Sequence, residues 1–254
     1  MASFIHRPNG RAAITVAIFA IGTWGLVGIV RGLEAAPNAD EPKAPPVVTP
    51  GPFVEAPPPE GAIVLFDGKD ASGWTGGRGR PTKWEVVDGE LRCKPGTGDA
   101  TSKEKFKDAE IHIEFATPLM PNEKGQGRGN SGVYLQGRYE LQILDSYKSD
   151  TYADGQCGAI YKQHVPLKNA CRPPLEWQSY DIIFKGPKKD GDKKTPARVT
   201  VKHNGILILD NAELKGPTPG SSDDKVYEEG PIRLQDHGNL VKFRNIWMKK
   251  LEAK

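Results

Sequence analysis

Short runs in which apolar and polar residues alternate, each soon broken by a turn dipeptide, constrain this chain more than any other feature. Asp88-Gly89 separates residues 84–87 from 90–93, and Asn204-Gly205 separates 197–203 from 206–210. Such pairs accept positive φ at both central positions, so they close two-residue hairpins whose twist matches the flanking strands. Residues 110–116 set Glu110, His112 and Glu114 against Ile111, Ile113 and Phe115. A period of 2 makes this a half-buried strand, with His112 on its wet face. Further runs at 62–66, 176–184, 232–235 and 241–248 bring the total to about a dozen short strands, with no convincing amphipathic helix. The expected class is all-β, a sandwich of two packed antiparallel sheets. The first and last strands are both apolar and can pair, which points to jelly-roll closure.

Composition bounds the rest. With both ends set aside, roughly 190–200 residues remain, a size that often forms one all-β domain. The 35 basic and 32 acidic residues leave a net charge of +3. That balance supplies no electrostatic reason for a nucleic-acid or anionic-membrane partner. Cys93, Cys157 and Cys171 form no CxxC, and no His or Cys cluster has zinc spacing. In an exported chain Cys157 and Cys171 could oxidise and close a short loop. The separation of their Cα atoms decides that question, and spacing in sequence does not report it.

Arg7 and Arg11 precede an uncharged, mostly apolar run at 12–30 that ends at Arg31. Residues 1–34 therefore read as a signal sequence or an N-terminal membrane anchor. The run is about long enough to span a bilayer, and Glu34 spoils the small-residue pattern for cleavage after Ala36, so an uncleaved anchor is favoured. The remainder would lie outside the cytoplasm, in the periplasm or cell envelope, touching membrane through this segment alone. Residues 35–60 hold nine prolines, among them Pro45, Pro46, Pro57, Pro58 and Pro59. They read as an extended spacer. The folded domain is expected over 61–254, with a lysine-rich hairpin loop inserted at 185–196.

The densest stretch runs from Gly129-Asn130-Ser131-Gly132-Val133-Tyr134 to Tyr139-Glu140-Leu141-Gln142-Ile143-Leu144-Asp145. It reads as two strands joined by a turn at Gly137-Arg138. Alternation puts Glu140 and Gln142 on one face and Tyr139, Leu141 and Ile143 on the other. Glu and Gln are poor strand formers, so they mark a face that meets water or a polar ligand.

Other pieces line up in order around it. They are Leu65-Phe66-Asp67-Gly68-Lys69-Asp70 with Gly73-Trp74, Trp84 with Val87-Asp88-Gly89, Gly158-Ala159-Ile160-Tyr161, and Glu176-Trp177. Asn204-Gly205, Gly230-Pro231-Ile232 with Leu234-Gln235 and His237-Gly238, and Phe243-Arg244-Asn245-Ile246 follow. Together this set resembles the bacterial 3-keto-disaccharide hydrolase family, also described as 3-keto-glucoside lyase/3-keto-glucal hydratase domains, over about residues 60–252. The resemblance implies a concanavalin A-like jelly roll with a sugar site on its concave sheet, and a substrate class of glycosides already oxidised to a ketone at C3.

A C3 ketone acidifies the proton on C2. A base can remove that proton, the aglycone leaves C1 by elimination, and water adds back across the unsaturated sugar. The reaction needs a base, donors for the enolate oxygen and a proton source for the leaving oxygen. Glu140 is the first candidate base and His237, on a Gly-containing loop, the complementary acid or base. Asn130, Gln142, Tyr161 and Gln235 suit sugar hydroxyls. Arg138 and Arg244 suit the enolate or a salt bridge within the sheet. Asp145, five residues from Glu140, falls on the other face unless the strand ends before it, and is assigned to orienting a partner or binding a hydroxyl. Trp74, Trp84 and Trp177 are expected in the core. No cofactor is required, although Glu140 and Asp145 offer oxygen ligands for a divalent cation. Two other readings stay open: a non-catalytic carbohydrate-binding module, and an ordinary two-carboxylate glycosidase, for which the spacing of Glu140 and Asp145 is a poor match.

Overall fold

The computed structural model describes residues 42–190 and 193–252. The apolar segment 12–30 lies outside them. Among the described residues no helix is long and apolar enough to cross a membrane.

Strands β1 (Ile63–Phe66), β2 (Trp74–Thr75), β3 (Glu85–Val87) and β4 (Glu90–Arg92) lead into the longer β5 (Ala100–Phe106) and β6 (Ala109–Ala116). β7 (Ser131–Leu135) and β8 (Tyr139–Ile143) form the next hairpin, followed by β9 (Gln178–Lys185) and a short ribbon of β10 (Lys188–Asp190) and β11 (Lys193–Thr195). β12 (Arg198–His203), β13 (Ile206–Glu213), β14 (Gly230–Leu234) and β15 (Lys242–Lys250) complete the chain. Asp88 and Gly89 take φ of 55° and 76°, and Asn204 and Gly205 take 51° and 79°, as the two turn dipeptides require. The turn between β7 and β8 falls at Gln136 and Gly137, one residue before its expected place.

One sheet runs β13-β12-β9-β6-β15-β4-β3, with β1 added on β15. The other runs β2-β5-β14-β7-β8. β1 and β15 pair antiparallel, Ile63 opposite Met248, so the first and last strands do close the fold. Apolar residues of the two sheets fill one core. Phe184 of β9 meets Phe106 of β5 edge-on at 5.6 Å and Tyr139 of β8 at 5.9 Å, geometries worth roughly 0.5–1.5 kcal/mol beyond the area they bury. Trp74 and Trp84 are buried as expected, while Trp177 is half-buried with Arg244 over its ring.

Two expectations change. The described part of the proline-rich segment, 42–60, lies along the domain instead of standing free. Val48 donates to Asn169 O at 3.0 Å, and Trp247 Nε1 and Asn245 Nδ2 both donate to Ala56 O at 3.0 Å. Proline leaves its own carbonyl and those of its neighbours unpaired within the segment, and domain donors use them. As a result the outer face of β6 is covered, and the whole strand is buried except Glu110. His112 is therefore not on the surface. It stacks on Trp247 at 5.3 Å, with Nδ1 2.7 Å from Asp181 and Nε2 3.4 Å from Glu114. Cys93, Cys157 and Cys171 are all buried free thiols, so the loop between the last two is not closed by a disulfide.

Candidate active site

The polar face of β8 behaves as alternation requires. Leu141 and Ile143 enter the core, and Glu140 and Gln142 face outward across the five-stranded sheet, yet loops cover them to 3% and 1% exposure. Loops build the walls of a cavity of about 210 Å³ over this face, and three of them are tied to the sheet or to neighbouring loops. Residues 158–161 bind the free edge of β8: Gly158 donates to Gln142 O, and Gln142 and Tyr161 donate to the carbonyls of Ala159 and Glu140. That pairing protects an otherwise open sheet edge and delivers Tyr161 to the cavity. Thr218 holds the second loop by accepting the Glu140 amide at 3.0 Å and donating to Arg138 O at 3.0 Å. The third loop carries His237. Asp236 accepts from the amides of Thr97, Gly98 and Gly238, and Asn239 Oδ1 accepts from the Asn130 amide at 2.7 Å. His237 is pinned on both sides and remains exposed, lining the cavity.

Glu140 forms the floor of the cavity. Tyr134, its register partner on β7, donates its hydroxyl to Glu140 Oε2 at 2.9 Å, and Gln235 Nε2 donates to that hydroxyl at 3.2 Å. Arg233 lies over the Tyr134 ring, 3.9 Å from its centroid. Burial pushes the Glu140 carboxyl up to about 7, against the opposing pull of the Tyr134 hydrogen bond and the Arg233 charge. A carboxyl poised there exchanges protons near neutral pH. Gly132 makes its position available, because a Cβ at that residue would lie 2.4 Å from Glu140 Oε1. Turned to suit its neighbours, the Gln142 amide donates to Ser131 O at 2.9 Å and Glu140 Oε1 at 3.2 Å.

The walls are amide and phenol groups. Gln126, Asn130 and Gln235 line the cavity together with Tyr152 and Tyr161, whose hydroxyls are 2.6 Å apart. Lys162 sits over the Tyr152 ring at 3.5 Å. The side-chain oxygens of Asn130 and Gln235 are buried without a hydrogen-bond partner among the described residues. Such orphans are costly unless a ligand uses them. Hydroxyl-rich molecules match this lining.

Of the residues singled out from sequence, Glu140, His237, Asn130, Gln142, Tyr161 and Gln235 share the cavity. Three do not line it. Arg138 turns away to staple the neighbouring loop: it donates to Lys225 O at 2.8 Å and Gln136 O at 2.6 Å and stacks on Tyr227. Arg244 lies on the other sheet, 2.6 Å from Glu114, in the salt bridge that was its alternative role. Asp145 follows the end of β8. Arg128 at 2.6 Å and the Tyr147 amide at 3.2 Å meet its two oxygens, so it orients a partner, and it does not line the cavity with Glu140. Tyr134, Gln126 and Tyr152 escape sequence reading. Tyr134 had a signal: in a hairpin turning at Gln136-Gly137 it falls opposite Glu140, on the same face. The lysine-rich insertion lines a separate cavity with Tyr139 and Tyr227.

The sequence profile described as the 3-keto-alpha-glucoside-1,2-lyase-like domain matches residues 61–249. A 3-keto-disaccharide hydrolase of Bacteroides thetaiotaomicron is 27% identical over 245 residues, covering 76% of this chain and 79% of that protein. The crystal structure of a candidate glycosyl hydrolase from Parabacteroides distasonis superposes with a TM-score of 0.73 at 41% identity, covering 89% of this chain and 99% of that one. A second from the same organism gives 0.56 at 25% identity, with 76% and 95% covered.

Proposed function

The chain belongs to the 3-keto-alpha-glucoside-1,2-lyase-like domain family, a family of hydrolase-type carbohydrate enzymes, and from that premise we propose that it cleaves 3-keto-glycosides by elimination followed by hydration. The observation that carries the proposal is Glu140, a carboxyl raised to about 7 by burial, held by Tyr134 on the floor of a cavity that His237 also lines.

Glu140 takes the C2 proton, and the electrons pass to the C3 oxygen as an enolate. Collapse of the enolate forms the C1–C2 double bond and expels the aglycone oxygen, which His237 protonates. Water then adds at C1 while C2 regains a proton, giving net hydrolysis. Tyr134 steadies the Glu140 carboxylate, and the amides of Asn130, Gln142 and Gln235 take the ring hydroxyls together with Tyr161. A cavity of about 210 Å³, open on one side, suits one sugar ring with the aglycone outside. Arg7, Arg11 and the apolar run 12–30 support an exported or envelope-anchored enzyme.

Matched oxidised and unoxidised disaccharides test this reading. Only the 3-keto form should release aglycone, and in deuterated water the product should carry deuterium at C2. Equal cleavage of the unoxidised sugar, or release without C2 exchange, would overturn the mechanism. Saturable binding with no product would make the chain a binding module. His237→Ala should slow release by about 10²-fold, within the usual range for losing one proton-transfer group.

A further inference from the structure

Below β8, on its core side, three donor groups from separate parts of the chain meet. One ligand atom from each of Cys157, Cys171 and His203 lies within 4.8 Å of the other two. The residues are 1%, 5% and 0% exposed. Both cysteines are free thiols. Cys171 Sγ lies 3.6 Å from the Leu144 carbonyl, and Cys157 Sγ is 3.1 Å from Tyr180 Oη.

His203 supplies a second, independent observation. The Arg172 amide donates to Gln178 Oε1 at 3.0 Å, which fixes that atom as an acceptor. His203 Nε2 lies 2.9 Å from the same oxygen, so Nε2 carries the ring proton and donates it there. Nδ1 keeps a bare lone pair, and it is buried with no hydrogen-bond partner among the described residues. A ring with one nitrogen donating and the other bare is the neutral form that ligates metals. An outer N–H held by a carbonyl-type oxygen, with the inner nitrogen free, is the orientation of metal-bound histidines.

We propose that Cys157, Cys171 and His203 bind a structural zinc(II) ion beneath the catalytic strand. Thiolate and imidazole donors select a soft or borderline metal over magnesium or calcium. Bonds of about 2.3 Å to sulfur and about 2.0 Å to nitrogen at tetrahedral angles set donors roughly 3.5–3.8 Å apart, and the three here lie within 4.8 Å of one another. Binding sends two thiol protons to solvent, and two thiolates with a divalent ion leave no net charge in a site closed to water. A monovalent ion would leave an uncompensated negative charge there, at a high cost. Tyr180 Oη, which donates to Gln142 O at 2.7 Å, borders the site 3.1 Å from Cys157 Sγ. The ion would close the loop from Cys157 to Cys171, which pairs with the edge of β8 and carries Tyr161.

The test uses the full chain, purified anaerobically and without added reductant from zinc-supplemented cells. Elemental analysis should find about one zinc per chain. The Cys157→Ser/Cys171→Ser protein should lose it, and Cys93→Ala should retain it. Cobalt(II) exchanged into the wild-type chain provides a readout that needs no variant, since it should show thiolate charge-transfer and tetrahedral d–d absorption. Copper(I) held in place of zinc, absence of both zinc and cobalt binding, or a wild-type mass short by two hydrogens with the Cys157 and Cys171 peptides cross-linked would overturn the proposal.

Discussion

Two glutamates, Glu114 on β6 and Glu140 on β8, occupy similar positions and end in opposite electrostatic states. Each alternates with apolar residues, each is almost fully buried, and each faces away from the shared core. Burial alone would raise both carboxyls. At Glu114 hydrogen bonds from His112, Asn245 and Arg244 outweigh it and hold the group below its usual value. Glu140 has the Tyr134 phenol, the turned Gln142 amide and a guanidinium beyond them, and burial still wins, to about 7. Both carboxylates line cavities, but Glu114 is paired directly with Arg244 at 2.6 Å, whereas Glu140 is met by neutral donors. A buried carboxylate becomes chemically useful when its partners leave it under-satisfied, and becomes a structural pin when they do not.

The comparison is broken most sharply by neutralising each carboxylate in turn. Glu140→Gln should lower turnover of a 3-keto-disaccharide by about 10³-fold or more, with the fold intact by circular dichroism. Glu114→Gln should leave turnover within a few-fold. Equal loss of activity in the two proteins would erase the distinction.

Titration gives the second test, with opposite slopes. Glu140 is raised in the folded state, so its favourable contribution is complete below about pH 4.5 and disappears as pH climbs through about 7, a swing of up to about 3 kcal/mol. Glu114 is lowered, so its contribution is present above the unfolded value of 4.5 and is lost as pH falls through the folded pKa. Urea melts of wild type and Glu140→Gln at pH 5 and pH 8 should show the variant gaining on wild type at the higher pH. No difference between the two pH values would mean that Glu140 is not raised.

Gly132→Ala sharpens the geometry. The added Cβ falls 2.4 Å from Glu140 Oε1, so the carboxyl must move. Turnover should fall by about 10²-fold, as for other misplacements of about an ångström, with little change in the urea midpoint. The smallest effect is expected from Glu114→Ala, about 2 kcal/mol of stability, because Arg244 is still partly solvated after it loses its partner. Chemical denaturation measures it.

Much of the fold was legible in the chain because its signals are local. Asp88-Gly89 and Asn204-Gly205 set their turns through backbone freedom at the residues themselves. Alternation at 139–143 sorted Glu140 and Gln142 from Leu141 and Ile143 through the geometry of one strand. Six candidate residues reached one cavity because they lie on that strand, on its loops or at the end of β14. Arg138, Asp145 and Arg244 went astray for a common reason: an ionisable residue near a strand end takes whichever partner the fold supplies, here Lys225 O, Arg128 and Glu114. His112 was misjudged because its cover comes from a segment that, read alone, has nothing to hold it down.

By itself, then, the sequence determined most of the strands, the Asp88-Gly89 and Asn204-Gly205 turns, the polar face of β8 and the family, from patterns among residues near one another in the chain. Only the tertiary structure decided which buried carboxylate stays under-satisfied, that the proline segment covers a sheet, and that Cys157, Cys171 and His203 come together without any metal-like spacing. The physical reason is shared by all three. Charge pairing, desolvation and ligand convergence depend on distance in space, which contacts between remote strands set and local pattern does not.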